Sequence, residues 1–157
     1  MTVKEIKIAY TEYGSLEQLE PQDRELAKAA IEATESSYAP YSHFNVGAAV
    51  RLEGGEIVCG SNQENAAFPS GLCAERTAMF YANAAHPDKA MLSIALAGCQ
   101  NGILCETPAT PCGACRQVMA QYQTKSGKDM SVLMVGNGKI WKFERVDDIL
   151  PLIFDSI

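Results

Sequence analysis

The sequence in the middle of the chain is CAERTAMFYANA at residues 73–84, MLSIALAG at residues 91–98 and CGACRQVMAQYQ at residues 112–123. The first stretch places Ala78, Met79 and Ala82 on one side of a helix, and we expect the third stretch to form a second helix. The apolar stretch between them is typical of a buried strand. Strands and helices that alternate in this way favour a sheet with parallel neighbours and helices on its faces.

The flanking sequence predicts further elements of the same domain. Residues 44–52, FNVGAAVRL, predict a strand that turns at Gly54-Gly55 into a second strand at 56–59. Helical spacing predicts a helix at 21–37. We also expect a short strand at 3–10, strands at 131–135 and 139–143, and a short helix near 146–150. These elements predict an α/β fold, a three-layer α/β/α sandwich around a mixed sheet of about five strands.

Length and composition limit the classes of protein that this chain can belong to. Its 157 residues are expected to form one domain, residues 1–157, in which residues 1–20 are an N-terminal extension without an assigned role. The 13 Lys and Arg residues against 19 Asp and Glu residues give a net charge of −6, which argues against nucleic acid or an anionic membrane as partner. The sequence shows neither a signal peptide nor a membrane span, so we expect a cytoplasmic protein.

Three of the six cysteines form a pattern that is typical of a metal site. Cys112 and Cys115 are a C-x-x-C pair, which by itself is equally typical of a structural zinc knuckle or a redox dithiol. Cys73 precedes the other predicted helix, and the positive end of a helix dipole favours thiolate over thiol. Three thiolates leave the fourth tetrahedral position of Zn²⁺ to water, as in catalytic zinc sites, whereas Cys99 or Cys105 as a fourth ligand would close the site.

Glu75 stands two residues after Cys73, in the predicted first turn of that helix. A carboxylate there can lean over the open position, take a proton from water and return it to a leaving group. Three thiolates and one Zn²⁺ sum to −1, so a nearby cation would help the site to make water acidic. Arg76 and Arg116, each next to a motif residue, are the two candidates.

Four spaced motifs resemble those of the small, homotetrameric, zinc-dependent cytidine deaminases, which carry a (His/Cys)-x-Glu followed by Pro-Cys-x-x-Cys. The motifs are YSHFNVGAA at 41–49, NQENAA at 62–67, CAERTA at 73–78 and PCGACRQ at 111–117. The resemblance extends from about Pro21 to Phe154. It implies a hydrolase that converts cytidine and deoxycytidine to uridine and deoxyuridine with release of ammonia, in pyrimidine salvage, and that assembles as a homotetramer with a nucleoside as its small-molecule partner.

The resemblance also implies a role for each matching residue. It implies that Cys73, Cys112 and Cys115 hold zinc and that Glu75 moves protons. Asn62 and Glu64 match a pair that hydrogen-bonds the ribose 3′-hydroxyl, and Phe44 matches an aromatic residue that packs on the nucleoside. The backbone at Ala74 is implied to contact the pyrimidine, and Phe154 is implied to reach the site of a neighbouring subunit. Gln63 and Phe68 depart from the family, which usually has an aliphatic residue and often a tyrosine there.

Simpler interpretations stay open on the residues alone. On spacing alone, Phe44 is more typical of a core residue. Asn62 and Glu64 alone fit a turn with a solvated carboxylate, and Phe154 alone is typical of an anchor that docks on its own chain. Two other functions also remain: a deaminase of another amine, such as the antibiotic blasticidin S, and a zinc-stabilised interaction domain without catalysis. The N-x-E pair counts against the first, and Glu75 beside an open metal position counts against the second.

Overall fold

One sheet of seven strands runs through residues 1–155, the part of the chain that the computed structural model describes. The strands are β1 Thr11–Tyr13, β2 Phe44–Leu52, β3 Ile57–Ser61, β4 Met91–Gln100, β5 Ile103–Leu104, β6 Ser131–Gly136 and β7 Lys139–Phe143. The helices are α1 Pro21–Ala33, α2 Ala74–Ala85 and α3 Gly113–Ser126. Residues 156 and 157, the end of the expected domain, lie outside the described part.

The strand order is β1-β7-β6-β4-β2-β3, and β5 pairs with the end of β4. The central pair β4 and β6 is parallel, with Ile94 opposite Val132, as the alternation of strands and helices predicts. The pair β2 and β4 is antiparallel and extends from Phe44 opposite Gln100 to Leu52 opposite Met91. The sheet is therefore mixed.

Helices cover both faces of this sheet, because successive residues of each strand point to opposite sides. Ala49 and Ala95 pack with Leu26 of α1 in one core cluster. Ala48 and Ile94, their immediate neighbours in sequence, pack with α2 and α3 in the other. The arrangement is the three-layer α/β/α sandwich that the sequence predicts, with α1 alone on one face.

The expected number of strands was wrong, because the sheet has seven strands instead of about five. Two of the seven strands are very short: β5 has two residues and β1 has three. The strand expected at 3–10 is also misplaced, since it forms at Thr11–Tyr13, where the chain pairs with β7. The short helix expected near 146–150 is a single 3-10 turn at Val146–Asp148.

The α2–α3 face carries the functional site because both helices begin at the same end of the sheet. The helix α2 follows Cys73 directly, and α3 follows Cys112 directly. Among residues 1–155, none of the helices is both long and apolar enough to cross a membrane.

Candidate active site

Three cysteine sulfurs converge where α2 and α3 begin. Cys73 and Cys112 are the N-cap residues of the two helices, and Cys115 lies in the first turn of α3. The Sγ atoms of Cys73 and Cys112 are 3.9 Å apart, those of Cys112 and Cys115 are 3.5 Å apart, and all three lie within 4.8 Å of one another. The cluster therefore brings together three thiols that are distant in the sequence.

The geometry of the cluster fits a zinc ion. Tetrahedral thiolate ligands at about 2.3 Å from zinc stand about 3.8 Å from one another, close to the observed sulfur separations. Neither Cys73 nor Cys112 uses its side chain to cap its helix, so both sulfurs are available as ligands. Cysteine thiolate is also among the ligands that zinc prefers in proteins.

The thiols of the cluster differ sharply in acidity. The pKa of Cys73 is lowered to about 5, chiefly by a hydrogen bond from Cys115, with further hydrogen bonds from Arg76 and Cys112. The pKa of Cys115 is raised, because its thiol is the partner in that hydrogen bond and because the residue is buried. Arg76 Nη2 donates to Cys73 Sγ over 3.6 Å. Negative charge is thus most stable on Cys73, beside a guanidinium.

The two candidate arginines therefore have different partners. Arg116 donates from Nε to the carbonyl oxygen of Pro111 and from Nη1 to that of Ile149, at 2.9 and 3.0 Å. These bonds tie the start of α3 to the end of the chain. Of the two, Arg76 is the one that meets a sulfur of the cluster.

Glu75 is a carboxyl group buried beside this cluster, with 3% of its surface exposed. Burial raises the pKa of Glu75 above its ordinary value, because the desolvated carboxylate is disfavoured. The residue lines a cavity of about 280 Å³ together with Cys73 and Cys112. A buried carboxyl group and two candidate metal ligands therefore face the same space.

The cavity also brings together most of the other residues that the sequence identified. Phe44, Asn62, Glu64 and Ala74 line it with Glu75. A larger outer cavity of about 490 Å³ shares Ser42, Asn62, Glu64 and Cys73 with it. Asn62 and Glu64 therefore lie at the boundary between an inner chamber beside the cysteines and a wider mouth.

The Asn62 amide is fixed by hydrogen bonds from three sides. Its Oδ1 accepts from the backbone N–H of Val46 at 2.8 Å and from the Ser37 hydroxyl, and its Nδ2 donates to the carbonyl of Phe44 at 2.9 Å. Both lone pairs of Oδ1 are thus used within the chain, and one N–H of Nδ2 is left for a ligand. The side chain of Asn62 can therefore act as a hydrogen-bond donor toward a ligand.

Glu64 is fixed as an acceptor. Its Oε2 accepts from the backbone N–H groups of Tyr41 and Ser42 at 2.9 and 3.2 Å. Hydrogen bonding from Ser42 and Tyr41 lowers the pKa of Glu64, so the carboxylate stays ionised. Neither of these bonds uses Oε1. A ligand hydroxyl between Asn62 and Glu64 thus meets a donor on one side and an acceptor on the other.

Phe44 enters the inner cavity because β4 has a glycine beneath its ring. A Cβ atom at Gly98 would stand 2.7 Å from Cζ of Phe44 and 3.0 Å from Cβ of Ala109, closer than carbon atoms approach without strain. The ring of Phe44 therefore rests directly on the backbone of the sheet. Any larger residue at Gly98 would displace it into the cavity.

Phe154 stands apart from the residues that line the two cavities. It is 67% exposed and is held through its backbone, whose N–H and carbonyl bond the side-chain amide of Gln117. The ring is thus neither buried as an anchor in its own chain nor part of its own chain's cavity.

Sequence reasoning gave no role to several residues that complete the site. Ser42 supports Glu64, Ser37 supports Asn62, and Thr110 lines the inner cavity. The contacts of Ser37 and Ser42 join segments more than 20 residues apart, and no local pattern indicates them. Gln63, a departure from the family pattern, donates to Ser36 and Ser61 outside the inner cavity.

Comparison with known proteins gives consistent matches. Residues 20–128 match the sequence family described as the cytidine and deoxycytidylate deaminase zinc-binding region. The chain is 44% identical over 98 residues to a cytidine deaminase of Halalkalibacterium halodurans, an alignment that covers 61% of this chain and 68% of that one. It is 45% identical over 92 residues to that of Sporosarcina psychrophila, covering 57% and 62%.

Solved structures agree with this similarity. The crystal structure of a cytidine deaminase from Burkholderia pseudomallei superimposes with a TM-score of 0.72 at 38% identity, covering 83% of this chain and 97% of that one. A cytidine deaminase from Mycobacterium tuberculosis superimposes with a TM-score of 0.65 at 29% identity, covering 84% and 96%.

Proposed function

The chain belongs to the cytidine and deoxycytidylate deaminase zinc-binding family, and from that membership we propose that the site described above hydrolyses cytidine to uridine and ammonia with zinc as its cofactor. Deoxycytidine is the second substrate, and the reaction serves pyrimidine salvage. One observation carries the proposal: three cysteine sulfurs lie at zinc-binding separation, and two of these cysteines, Cys73 and Cys112, line the same cavity as the buried carboxyl group of Glu75.

Cys73, Cys112 and Cys115 would hold the metal through their three sulfurs. When bound, zinc supplies a Lewis acid that makes water a nucleophile near neutral pH. The Arg76 guanidinium beside Cys73 offsets part of the negative charge of three thiolates. This partial compensation of the thiolate charge thus comes from an arginine of α2, the helix that follows Cys73.

Glu75 moves the protons of the reaction. It takes a proton from the attacking water and delivers it to N3 of the cytosine ring, which makes C4 more electrophilic. It then takes the proton of the hydroxyl that has been added at C4 and carries it to the amino group, which leaves as ammonia as the C4 carbonyl of uridine forms. Its burial among residues of the inner cavity keeps it from exchanging these protons with bulk water. The backbone at Ala74 contacts the pyrimidine, and Phe44 packs on its ring.

Asn62 and Glu64 bind the sugar at the boundary of the two cavities. The free N–H of Asn62 donates to the oxygen of the 3′-hydroxyl, and Glu64 accepts its proton. A substrate without that hydroxyl leaves the Glu64 carboxylate without this hydrogen bond, so the pair discriminates against such a substrate. The same carboxylate repels a phosphate group, so the pair favours a nucleoside over a nucleotide.

The assembly and location of the enzyme follow from the family resemblance and the charge of the chain. We propose a homotetramer in which Phe154, exposed on its own subunit, reaches the site of a neighbour. The net charge of −6 supports an enzyme of free nucleosides without a nucleic-acid or membrane partner, and we propose that this enzyme is cytoplasmic. Sedimentation equilibrium of the zinc-loaded chain tests the proposed homotetramer, because a stable monomer would rule out a site that Phe154 of a neighbouring subunit reaches.

The decisive experiment combines a metal assay with an ultraviolet assay of the purified chain. Substrates are cytidine, deoxycytidine, cytidine monophosphate and blasticidin S. We expect one zinc ion per chain. We also expect kcat/KM for cytidine and deoxycytidine to exceed that for cytidine monophosphate and blasticidin S by at least about a hundredfold, because a hydrogen bond to a charged group is lost or opposed in the latter two.

Two results would overturn the proposal. Preferential turnover of blasticidin S would assign the site to another amine. Full zinc loading without turnover of any of the four compounds, in a chain with native thermal unfolding, would leave a zinc-stabilised interaction domain as the better description.

A further inference from the structure

The segment of residues 3–10, VKEIKIAY, lies outside the region that matches the family and outside both core clusters. Its apolar residues alternate with polar ones at its carboxyl end, and Ile6, Ile8 and Tyr10 are 58%, 55% and 52% exposed. Alternation with period two is the pattern of a strand with one apolar face. We call residues 4–12 the arm: it consists of residues 4–10 of this segment and the first two residues of β1.

The arm leads directly into an open edge of the sheet. β1 is the terminal strand of the sheet order, and among residues 1–155 it pairs with β7 alone. An edge strand presents unpaired backbone groups that accept a further strand. Residues 4–10 of the arm pair with no strand within residues 1–155 of their own chain, and a lone strand is not stable in water.

The apolar face of the arm continues an aromatic cluster on the sheet. The ring of Tyr10 lies 5.7 Å from that of Trp141 and 5.2 Å from that of Phe143, and Glu12 accepts a hydrogen bond from the indole N–H of Trp141 at 2.7 Å. Residues at even positions therefore share the face of the sheet that β7 lines with these aromatic rings. The exposed Ile6 and Ile8 extend that face beyond the sheet.

The sequence of the arm is complementary to itself in one register. We propose that the arms of two copies of this chain pair as antiparallel strands about a two-fold axis at Ile8, in addition to the contacts that form the proposed tetramer. This register places Ile8 opposite Ile8, Ile6 opposite Tyr10, and Lys4 opposite Glu12 of the second copy.

Other registers are less favourable. A shift of two residues in one direction places Lys7 opposite Lys7, and a shift in the other direction places Ile6 opposite Glu12. A shift of one residue places Tyr10 opposite Glu5 or Lys7 and leaves no pair of large apolar side chains opposite each other. A second copy is favoured over an unrelated protein because Lys4 and Glu12 are symmetric about Ile8. The net charge of −6 disfavours an anionic membrane.

Cysteine cross-linking of the zinc-loaded chain tests the register directly. Ile8→Cys places two thiols opposite each other across the axis, so mild oxidation produces a covalent dimer on non-reducing gels. Glu5→Cys is the matched control, because its thiol stands about 20 Å along the strands from its counterpart. The parent chain, with its six cysteines, gives the background. Equal cross-linking of the two variants, or none above background in either, overturns the proposal.

Sedimentation equilibrium tests the charge pair. Lys4→Glu and Ile8→Lys place like charges opposite each other and weaken the association of copies by at least about tenfold. The double variant Lys4→Glu/Glu12→Lys restores the opposite charges and recovers the association. Equal weight-average masses for all variants and the parent contradict the pairing. Binding of the parent to anionic vesicles, lost in Ile8→Lys while the mass is unchanged, would assign the arm to a membrane instead.

Discussion

The two faces of the sheet are covered by helices that bury similar side chains but begin differently. On one face, α1 buries Leu26, Ala27 and Ala30 and starts with Pro21 after Glu20, which makes no side-chain cap. On the other, α2 and α3 each start directly after a cysteine. Their first turns bury Glu75 and Cys115, and the rest of each helix buries further side chains, as α1 does.

Buried side chains are thus common to the helices on both faces. The residues at the helix starts differ, and they separate the face with the candidate site from the face without it. Three sulfurs lie at the positive ends of two helices, where thiolates are stabilised. Nothing comparable stands at the start of α1. The contrast can be tested by changing residues on each face and measuring zinc, turnover and stability separately.

Removal of a metal ligand is expected to have the largest effect on turnover. Cys115→Ala leaves two sulfurs, so the chain loses stoichiometric zinc and its deaminase activity falls below detection. Cys99→Ala is the matched control, because Cys99 is also a buried cysteine but lies on β4 outside the cluster. Zinc is measured by atomic emission and turnover by ultraviolet absorbance. Stoichiometric zinc and normal turnover in Cys115→Ala would contradict its assignment as a ligand.

Replacement of Glu75 is expected to have the next largest effect. Glu75→Gln keeps the size and burial of the side chain but removes its proton transfer, so kcat falls by about 10²–10⁴ while zinc content is unchanged. Glu32→Gln, an exposed residue of α1, is the control and leaves kcat unchanged. Loss of zinc in parallel with activity would show that Glu75 supports the metal instead.

The sequence predicts the chemistry of the site better than its geometry. The three cysteines and Glu75 are recognisable because residue type and spacing before a helix carry chemical meaning. The choice between Arg76 and Arg116 needed the structure. Both follow motif residues, but the partner of Arg116 is the carbonyl of Ile149, which is 33 residues away.

The number of strands could not be predicted either, because the shortest strands depend on contacts between distant parts of the chain. Periodicity needs several residues, and β1 and β5 have only three and two. β1 exists because Thr11 to Tyr13 find a partner in β7, at the far end of the chain. Such pairings depend on the tertiary fold, whereas the long strands β2 and β4 are apparent from local sequence.

Replacement of Glu64 is expected to affect binding more than turnover. Glu64→Gln removes the charge that is proposed to accept from the sugar hydroxyl, so KM for cytidine is expected to rise by about tenfold to a hundredfold while kcat changes little. The pKa of Glu64 lies below its usual range, so its carboxylate stays ionised as the pH falls. In the parent chain, the interaction is therefore present above the ordinary carboxyl pKa of about 4.3 and is lost only at more acidic pH.

The control for this prediction is Asn65→Ala, whose side chain lines the outer cavity only. Steady-state kinetics at neutral pH separate the two parameters. A fall in kcat with unchanged KM in Glu64→Gln would place the residue in the chemical step and remove it from sugar binding.

Truncation of the core on the α1 face is expected to have the smallest effect on turnover, although it costs the most stability. Leu26→Ala removes a fully buried side chain and lowers the free energy of unfolding by about 2–5 kcal/mol, measured in urea. Met79→Ala, equally buried in α2, is the matched variant, with a comparable loss of stability. Because α2 carries Cys73 and Glu75, a shift of this helix misplaces both groups, and kcat of the folded enzyme falls severalfold. The folded Leu26→Ala enzyme keeps its kcat, because α1 contributes no group to the cavity. Equal kinetic losses in both variants would show that the two faces are mechanically coupled, and the division into scaffold and site would then be wrong.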